Sequence, residues 1–259
     1  MRRRGDAVQR EGPLPKTPSA ALVAELEQLG VAPGTYRFEP LDPMRRAIAR
    51  RTAASAREAP HFSLLSRIEA DALLAARARL NAETAEKVSL NDLMIKAAAL
   101  ALEAVPAANA SFTAEGLVFH DHADIAVAVA MPGGLVTPVV RRAETKTAVQ
   151  IAAEMKDLAA RGRARRLAPR EYAGGTFAIS NLGMFGIASF DSILSPPHGC
   201  ILSVGQVEKQ FRFRGDEPYL AAVAEMTLTC DHRVVDGAIG AAWLAAFRNR
   251  IEAPDSWVA

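Results

Sequence analysis

The sequence predicts an α+β fold, a mixed β-sheet packed with helices, on two observations. Segments with strand alternation and segments with helical periodicity are interleaved irregularly, not in strict βαβ order. Apolar runs joined by short glycine-bearing turns recur, which marks hairpins and antiparallel pairing. A doubly wound parallel sheet would show neither feature.

The elements follow in chain order. Residues 1–18 are polar and carry Pro13, Pro15 and Pro18, a composition suited to a flexible arm. "TPSAALVAELEQLG" reads as a helix with Thr17 as N-cap, Pro18 at the first helical position and Gly30 as stop. "DPMRRAIARRTAASARE" is a second helix, opened by Asp42 and Pro43. "PHFSLLSRIEA" reads as a strand and "DALLAARARLNA" as a helix. "SLNDLMIKAAALALEAV" is a strong helix, capped by Ser89 with Asp92 in its first turn. "ASFTAEGLVFH" is a hairpin turning near Glu115-Gly116, and "DIAVAVAMPGGLVTPVV" is two strands around Pro132-Gly133-Gly134. "TAVQIAAEMKDLAARGRAR" is a helix that ends in basic residues, and "GGTFAIS" is a strand running into the glycine-punctuated loop "NLGMFG". "GCILSVGQVEKQFRFRGDEPYLAAVAEMTLTC" supplies two or three antiparallel strands, and "DGAIGAAWLAAFRNRIEA" is the closing helix. The expected division is an N-terminal arm with one short helix over residues 1–40 and a single domain over residues 41–259.

Half of the 259 residues are apolar, 23% are charged and the net charge is +2, which suits a globular protein. Such a balance offers no special affinity for nucleic acid or anionic membrane. Cys200 and Cys230 show neither a CxxC spacing nor a disulfide framework, so a reducing, cytoplasmic setting is expected. The start "MRRRGDAVQREGP" lacks the apolar stretch of a secretory signal, and charge, proline or glycine interrupts every long apolar run, so no membrane span is expected. His120 and His122 imitate a metal pair, but beside charged residues they read as a solvated turn, and no metal site is expected.

The chemistry lies in "TLTCDHRVVDGA", Thr227 to Ala238. His232 stands at a strand-to-helix junction, and an imidazole takes and returns a proton near neutral pH. Asp231 and Asp236 are placed to orient it or to stabilise its charged form, and Arg233 balances the surplus carboxylate. On spacing alone the cluster fits as well an ion-pair network in which Asp236 caps the next helix. Cys230 shares a strand face with His232, but among core-directed residues it reads as an inert thiol. "FAISNLG" lacks the first glycine of a serine-hydrolase elbow.

Seven segments, "MRRAIARR", "PHF", "SLNDLMIKAAALAL", "DIAVAVAMPGGLVTPVV", "GGTFAISNLGMFGI", "SPPHGCILSVG" and "DHRVVDGA", carry a likeness that covers about Leu41 to Pro254. Together and in this order they resemble the catalytic domain of the dihydrolipoyl acyltransferases, the acyltransferase components of 2-oxo acid dehydrogenase complexes. The resemblance implies a chloramphenicol acetyltransferase-like two-layer sandwich and a homotrimer with active sites between subunits. It implies coenzyme A as a substrate and a dihydrolipoyl group entering the same channel from the opposite end. The family's catalytic histidine falls on His232, the second acidic residue of its motif on Asp236, and the serine that stabilises the tetrahedral intermediate on Ser180. Asp231, Arg233 and Asn181 are supporting residues, with an arginine such as Arg50 or Arg51, whose other reading is a solvated helix face. Met184 and Phe185 read either as acyl-channel lining or as core. The run "RGRARRLAPR" reads either as a contact for coenzyme A phosphates or as a solvated helix end.

Three departures from the family stand out. Only residues 1–40 precede the catalytic segment, so the lipoyl group is expected from another domain or protein. The tail "EAPDSWVA" differs from the leucine-rich tail that joins trimers into a cage, so a trimer is expected and a higher cage stays open. His198 stands where relatives more often carry an uncharged polar or acidic residue. Rival readings are a non-catalytic assembly core and an acyl-thioester hydrolase. The identity of the acyl group is not legible.

Overall fold

The computed structural model describes residues 17–131 and 134–258. Most of the expected arm, residues 1–16, and the Pro132-Gly133 turn lie outside the described residues. The chain divides into two compact units, one up to Arg51 and one from Thr52.

In the first unit, helix α1 spans Ala20–Gln28. Its N-cap is Ser19, not Thr17: the Ser19 hydroxyl accepts the Leu22 amide at 3.2 Å. A capping hydroxyl must sit two or three residues before the amide it satisfies, and Pro18 therefore stays outside the helix. Helix α2, Pro43–Glu58, begins in the first unit and has Thr52–Glu58 in the second; it opens as expected, with the Asp42 carboxylate accepting from the Arg45 amide at 2.7 Å.

The second unit contains β1 (His61–Glu69), α3 (Asp71–Glu83), α4 (Leu90–Ala104), β2 (Ala110–Thr113), β3 (Gly116–Phe119), β4 (Ile125–Val127), β5 (Val129–Met131) and β6 (Gly134–Val136). It continues with β7 (Val139–Val140), α5 (Ala148–Arg163), β8 (Phe177–Asn181), β9 (Cys200–Arg214), β10 (Glu217–Asp231) and α6 (Gly237–Glu252). Six strands form a mixed sheet in the order β1-β10-β9-β8-β4-β7. β8 runs parallel to β4 and β9, and the other pairs are antiparallel. The two strands expected over residues 124–140 are four. Pro138, which has no N–H to offer a ladder, separates β6 from β7; β4 and β7 stay in the large sheet while β5 and β6 pair in a ribbon of their own. β9 and β10 form one long hairpin. Gly215 opens its two-residue turn with φ +62°, the hand that matches strand twist.

Strand alternation separates two faces. Phe177, Ile179, Cys200, Leu202, Val204, Met226, Leu228 and Cys230 share the main core with Leu73 of α3, most of α4, Ile151 of α5, and Trp243 and Phe247 of α6. Trp243 packs between Phe177 and Phe247 at ring-centroid distances of 4.7 and 5.2 Å. α4 is held at its start by the reciprocal Ser89–Asp92 capping box. The other face carries Ser203, Thr227 and Thr229, and the segment before β9 lies against it: the Ser192 and Ser203 hydroxyls are 2.7 Å apart, and Leu194 clusters with Ala178 and Ile201. Gly205 permits that approach, because a Cβ there would lie 1.8 Å from the Ala188 carbonyl oxygen. Among the described residues no helix is long and apolar enough to cross a membrane.

Candidate active site

β10 ends at Asp231 and α6 begins at Gly237, so His232 is the first residue after the strand. The connection is tight. The Asp231 amide donates to the Gly199 carbonyl at 2.9 Å, and the Asp231 carbonyl accepts from Val234 and Val235 at 2.9 and 3.0 Å. Both valines are buried and anchor the turn. Asp236 is the N-cap of α6, accepting from the Ile239 amide at 2.8 Å. His232 is thereby left exposed at the end of the sheet. Its amide donates to the Pro60 carbonyl at 3.0 Å, and its ring packs on Phe62 with centroids 4.4 Å apart.

The acidic neighbours are engaged elsewhere. Asp231 is buried and receives a fork from Arg233, with Nε at 3.0 Å and Nη2 at 2.7 Å, plus the Arg233 amide at 3.0 Å. This bonding holds the guanidinium above its usual pKa, and the same group lies 3.9 Å from the Phe112 ring centroid. Among the described residues neither Asp231 nor Asp236 hydrogen-bonds to the His232 ring. The ion-pair reading therefore describes Asp231, Arg233 and Asp236, and it leaves the imidazole of His232 open. Cys230 is no nucleophile: it is fully buried with its sulfur 3.5 Å from that of Cys200, and the thiol–thiol hydrogen bond and burial push the Cys200 pKa well up.

Ser180 sits elsewhere, on β8, where it lines a cavity of about 730 Å³. Asn181, Met184, Phe185, Lys87, Lys156 and Arg163 also line it. Asn181 shapes the turn beyond the strand, accepting from the Gly183 amide at 2.9 Å and donating to the Asn91 side chain at 3.3 Å. Met184 and Phe185 are exposed and belong to the cavity, not to the core. The basic run divides. Arg163 lines the cavity, while Arg161 forks onto Glu171 at 2.7 and 2.8 Å and holds that carboxylate down to about 2. Arg50 and Arg51 belong to the first unit and are exposed on α2.

Register sets the spacing of the two reactive groups. Ser180 pairs with Ser203, and Ser203 with Thr227, so His232 lies two strands across and further along β10. With about 4.8 Å per strand and about 3.3 Å per residue, roughly 15–20 Å separates Ser180 from His232 within one chain.

The other histidines have partners. His120 Nε2 is 2.7 Å from the Ser111 hydroxyl, and burial lowers its pKa. His122 Nδ1 is 3.1 Å from Glu144. His198 is buried beside Gly175. Among the described residues no group of three potential ligands gathers for a metal ion. Sequence reasoning assigned no role here to Pro60, Phe62 or Phe112. Phe62 reaches His232 because β1 pairs with β10 in the register Phe62–Cys230, and only the quoted "PHF" segment hinted at it.

A profile of the 2-oxoacid dehydrogenases acyltransferase catalytic domain matches residues 33–259. The chain belongs to this acyltransferase family. This acyltransferase domain is 49% identical over 229 residues to the dihydrolipoyllysine-residue acetyltransferase component of the pyruvate dehydrogenase complex of Rhizobium meliloti, covering 86% of this chain and 51% of that one. With the corresponding Rickettsia bellii protein it shares 43% over 226 residues, 86% of this chain and 54% of that one. The chain thus spans about half the length of the curated relatives it matches. A structure of Azotobacter vinelandii dihydrolipoamide acetyltransferase superposes with a TM-score of 0.84 at 26% identity, covering 94% of this chain and 99% of that one. That work concerns a serine, a histidine and an asparagine in the catalytic mechanism, at the same spacings as Ser180, His232 and Asp236 here. A probable dihydrolipoamide acetyltransferase from Listeria monocytogenes gives 0.80 at 27% identity, covering 84% and 95% of the two chains. The α+β fold expected from the sequence is the fold of these acyltransferase cores.

Proposed function

We propose that this chain transfers an acyl group between a dihydrolipoyl thiol and coenzyme A, at a site made by His232 of one copy and Ser180 of a neighbour. One observation carries this reading. The exposed imidazole and the cavity serine are each set up for chemistry, yet roughly 15–20 Å keeps them from meeting in one chain. His232 takes the proton of the attacking thiol, and the thiolate adds to the thioester carbonyl. The Ser180 hydroxyl donates a hydrogen bond to the resulting oxyanion. The imidazolium returns its proton as the second thiolate leaves. Asp231, Arg233 and Asp236 hold the His232 connection, and Asn181 supports the turn behind Ser180. Lys87, Lys156 and Arg163 line the cavity together with Glu86 and Asp92, and Lys156 is paired with Glu86 at 2.8 Å, so Lys87 and Arg163 are the cations offered to the polyanionic coenzyme A.

The proposed assembly is a homotrimer, which closes on itself by cyclic symmetry. A closed trimer is favoured over a cage by the tail's own packing. The Trp257 indole donates to the Arg250 carbonyl at 3.0 Å, and Val258 is buried in the core of its own chain. We assign catalysis to residues 41–259, with the lipoyl group delivered by another domain or protein in a cytoplasmic setting.

Acyl-coenzyme A incubated with and without dihydrolipoamide tests the reading, because coenzyme A release should require the acceptor. Release without acceptor marks a hydrolase, and no release marks an assembly core. His232→Ala should lower turnover about 100-fold or more. Ser180→Ala should lower kcat about 100-fold with little change in KM, because its bond strengthens only as the oxyanion forms.

A further inference from the structure

We propose that His61 is a positioning residue for His232, an inference that rests on His232 being the base. β1 is an edge strand of the sheet, so among the described residues no strand pairs with its outer side to hold the Pro60–Phe62 segment. His61 supplies a tether through its side chain. Its Nδ1 lies 2.7 Å from the Ala59 carbonyl, which can only accept, and its Nε2 lies 3.0 Å from the Leu194 amide, which can only donate. One neutral tautomer, protonated at Nδ1, satisfies both. Leu194 is itself fixed: its carbonyl accepts from the Ser55 hydroxyl at 2.6 Å, and its side chain is buried with Ala59, Ala178 and Ile201.

The residues on either side of His61 both support His232. Pro60 accepts its amide at 3.0 Å and Phe62 carries its ring. A turn of the His61 backbone therefore displaces both supports together. A shift of about 1 Å at a reacting group lowers turnover by up to about 100-fold.

The test uses the assembled full chain. His61→Leu keeps bulk and removes both hydrogen bonds, whereas His61→Gln restores an acceptor close to the place of Nε2. His61→Leu should lose roughly 10–100-fold in kcat with KM for coenzyme A changed less than about twofold, at unchanged assembly mass and cooperative melting. His61→Gln should recover most of that loss. Long-range 1H–15N spectra of the His61 ring should show the Nδ1-protonated tautomer. A wild-type kcat in His61→Leu, an equal loss in a folded His61→Gln, or the Nε2-protonated tautomer each overturns the proposal. If His61→Leu fails to assemble, His61→Gln and the tautomer decide. His232→Ala runs in parallel. Full activity there sinks the base assignment itself, while an inactive His232→Ala beside a wild-type His61→Leu sinks only the role of His61.

Discussion

Two inactive variants should restore each other when they are co-expressed. His232→Ala and Ser180→Ala chains, each with its own affinity tag, are assembled in one cell. Within a chain the two groups are roughly 15–20 Å apart, about the span of three to four strand spacings, and no single thioester carbonyl reaches both. A site shared around a trimer behaves differently. With random mixing about three trimers in four contain both chains, and each of these holds one whole site among its three, so about one quarter of all sites are whole. Each parent alone should retain roughly 1% or less. Passage over both affinity columns isolates the mixed trimers, which should turn over at about one third of the wild-type rate per chain. The assay is thiol release from acyl-coenzyme A with dihydrolipoamide as acceptor, with the mass checked by light scattering. Mixed trimers no more active than their parents would refute the shared site and the reasoning from register that leads to it.

Two further outcomes follow from the electrostatics. Arg233→Met leaves the buried Asp231 carboxylate without its fork and should cost about 2–4 kcal/mol in urea unfolding, with Arg233→Lys recovering only part because an ammonium cannot reproduce the planar fork. Glu171 titrates near 2 in the folded chain against 4.5 for an ordinary glutamate, chiefly because Arg161 hydrogen-bonds to it. Its contribution to stability is therefore full above about pH 4.5 and fades as pH falls through about 2, so wild-type and Glu171→Gln unfolding curves should differ at neutral pH and converge at the acid end. A gap independent of pH from 7 to below 2 would contradict the assignment.

The parts of this protein legible in its sequence are those settled within a few residues. Ser89 and Asp92 close a capping box across one helical turn, Asp42 caps α2, and the β2–β3 hairpin turns between Thr113 and Gly116. The junction that exposes His232 is of the same kind, since strand alternation ends at Asp231 and Asp236 starts a helix. The α+β class followed from such local signals taken together. Even at this scale neighbours compete: Ser19 displaces Thr17 as the cap, and Pro138 separates β6 from β7 within one expected strand. The site itself needed the tertiary structure. Asp231 had two plausible partners in sequence, His232 and Arg233, and geometry gives it to Arg233 with the Phe112 ring beside the guanidinium. Phe62 reaches His232, and Cys230 lies opposite Cys200, only through the pairing of β10 with β1 and β9. The distance between Ser180 and His232 depends on strand order, with β9 and β10 running between and beyond them. Capping bonds are local, and a short window of residues contains both partners. Strand order and register are chosen by which arrangement buries the apolar face of the whole sheet, and no short window contains that comparison.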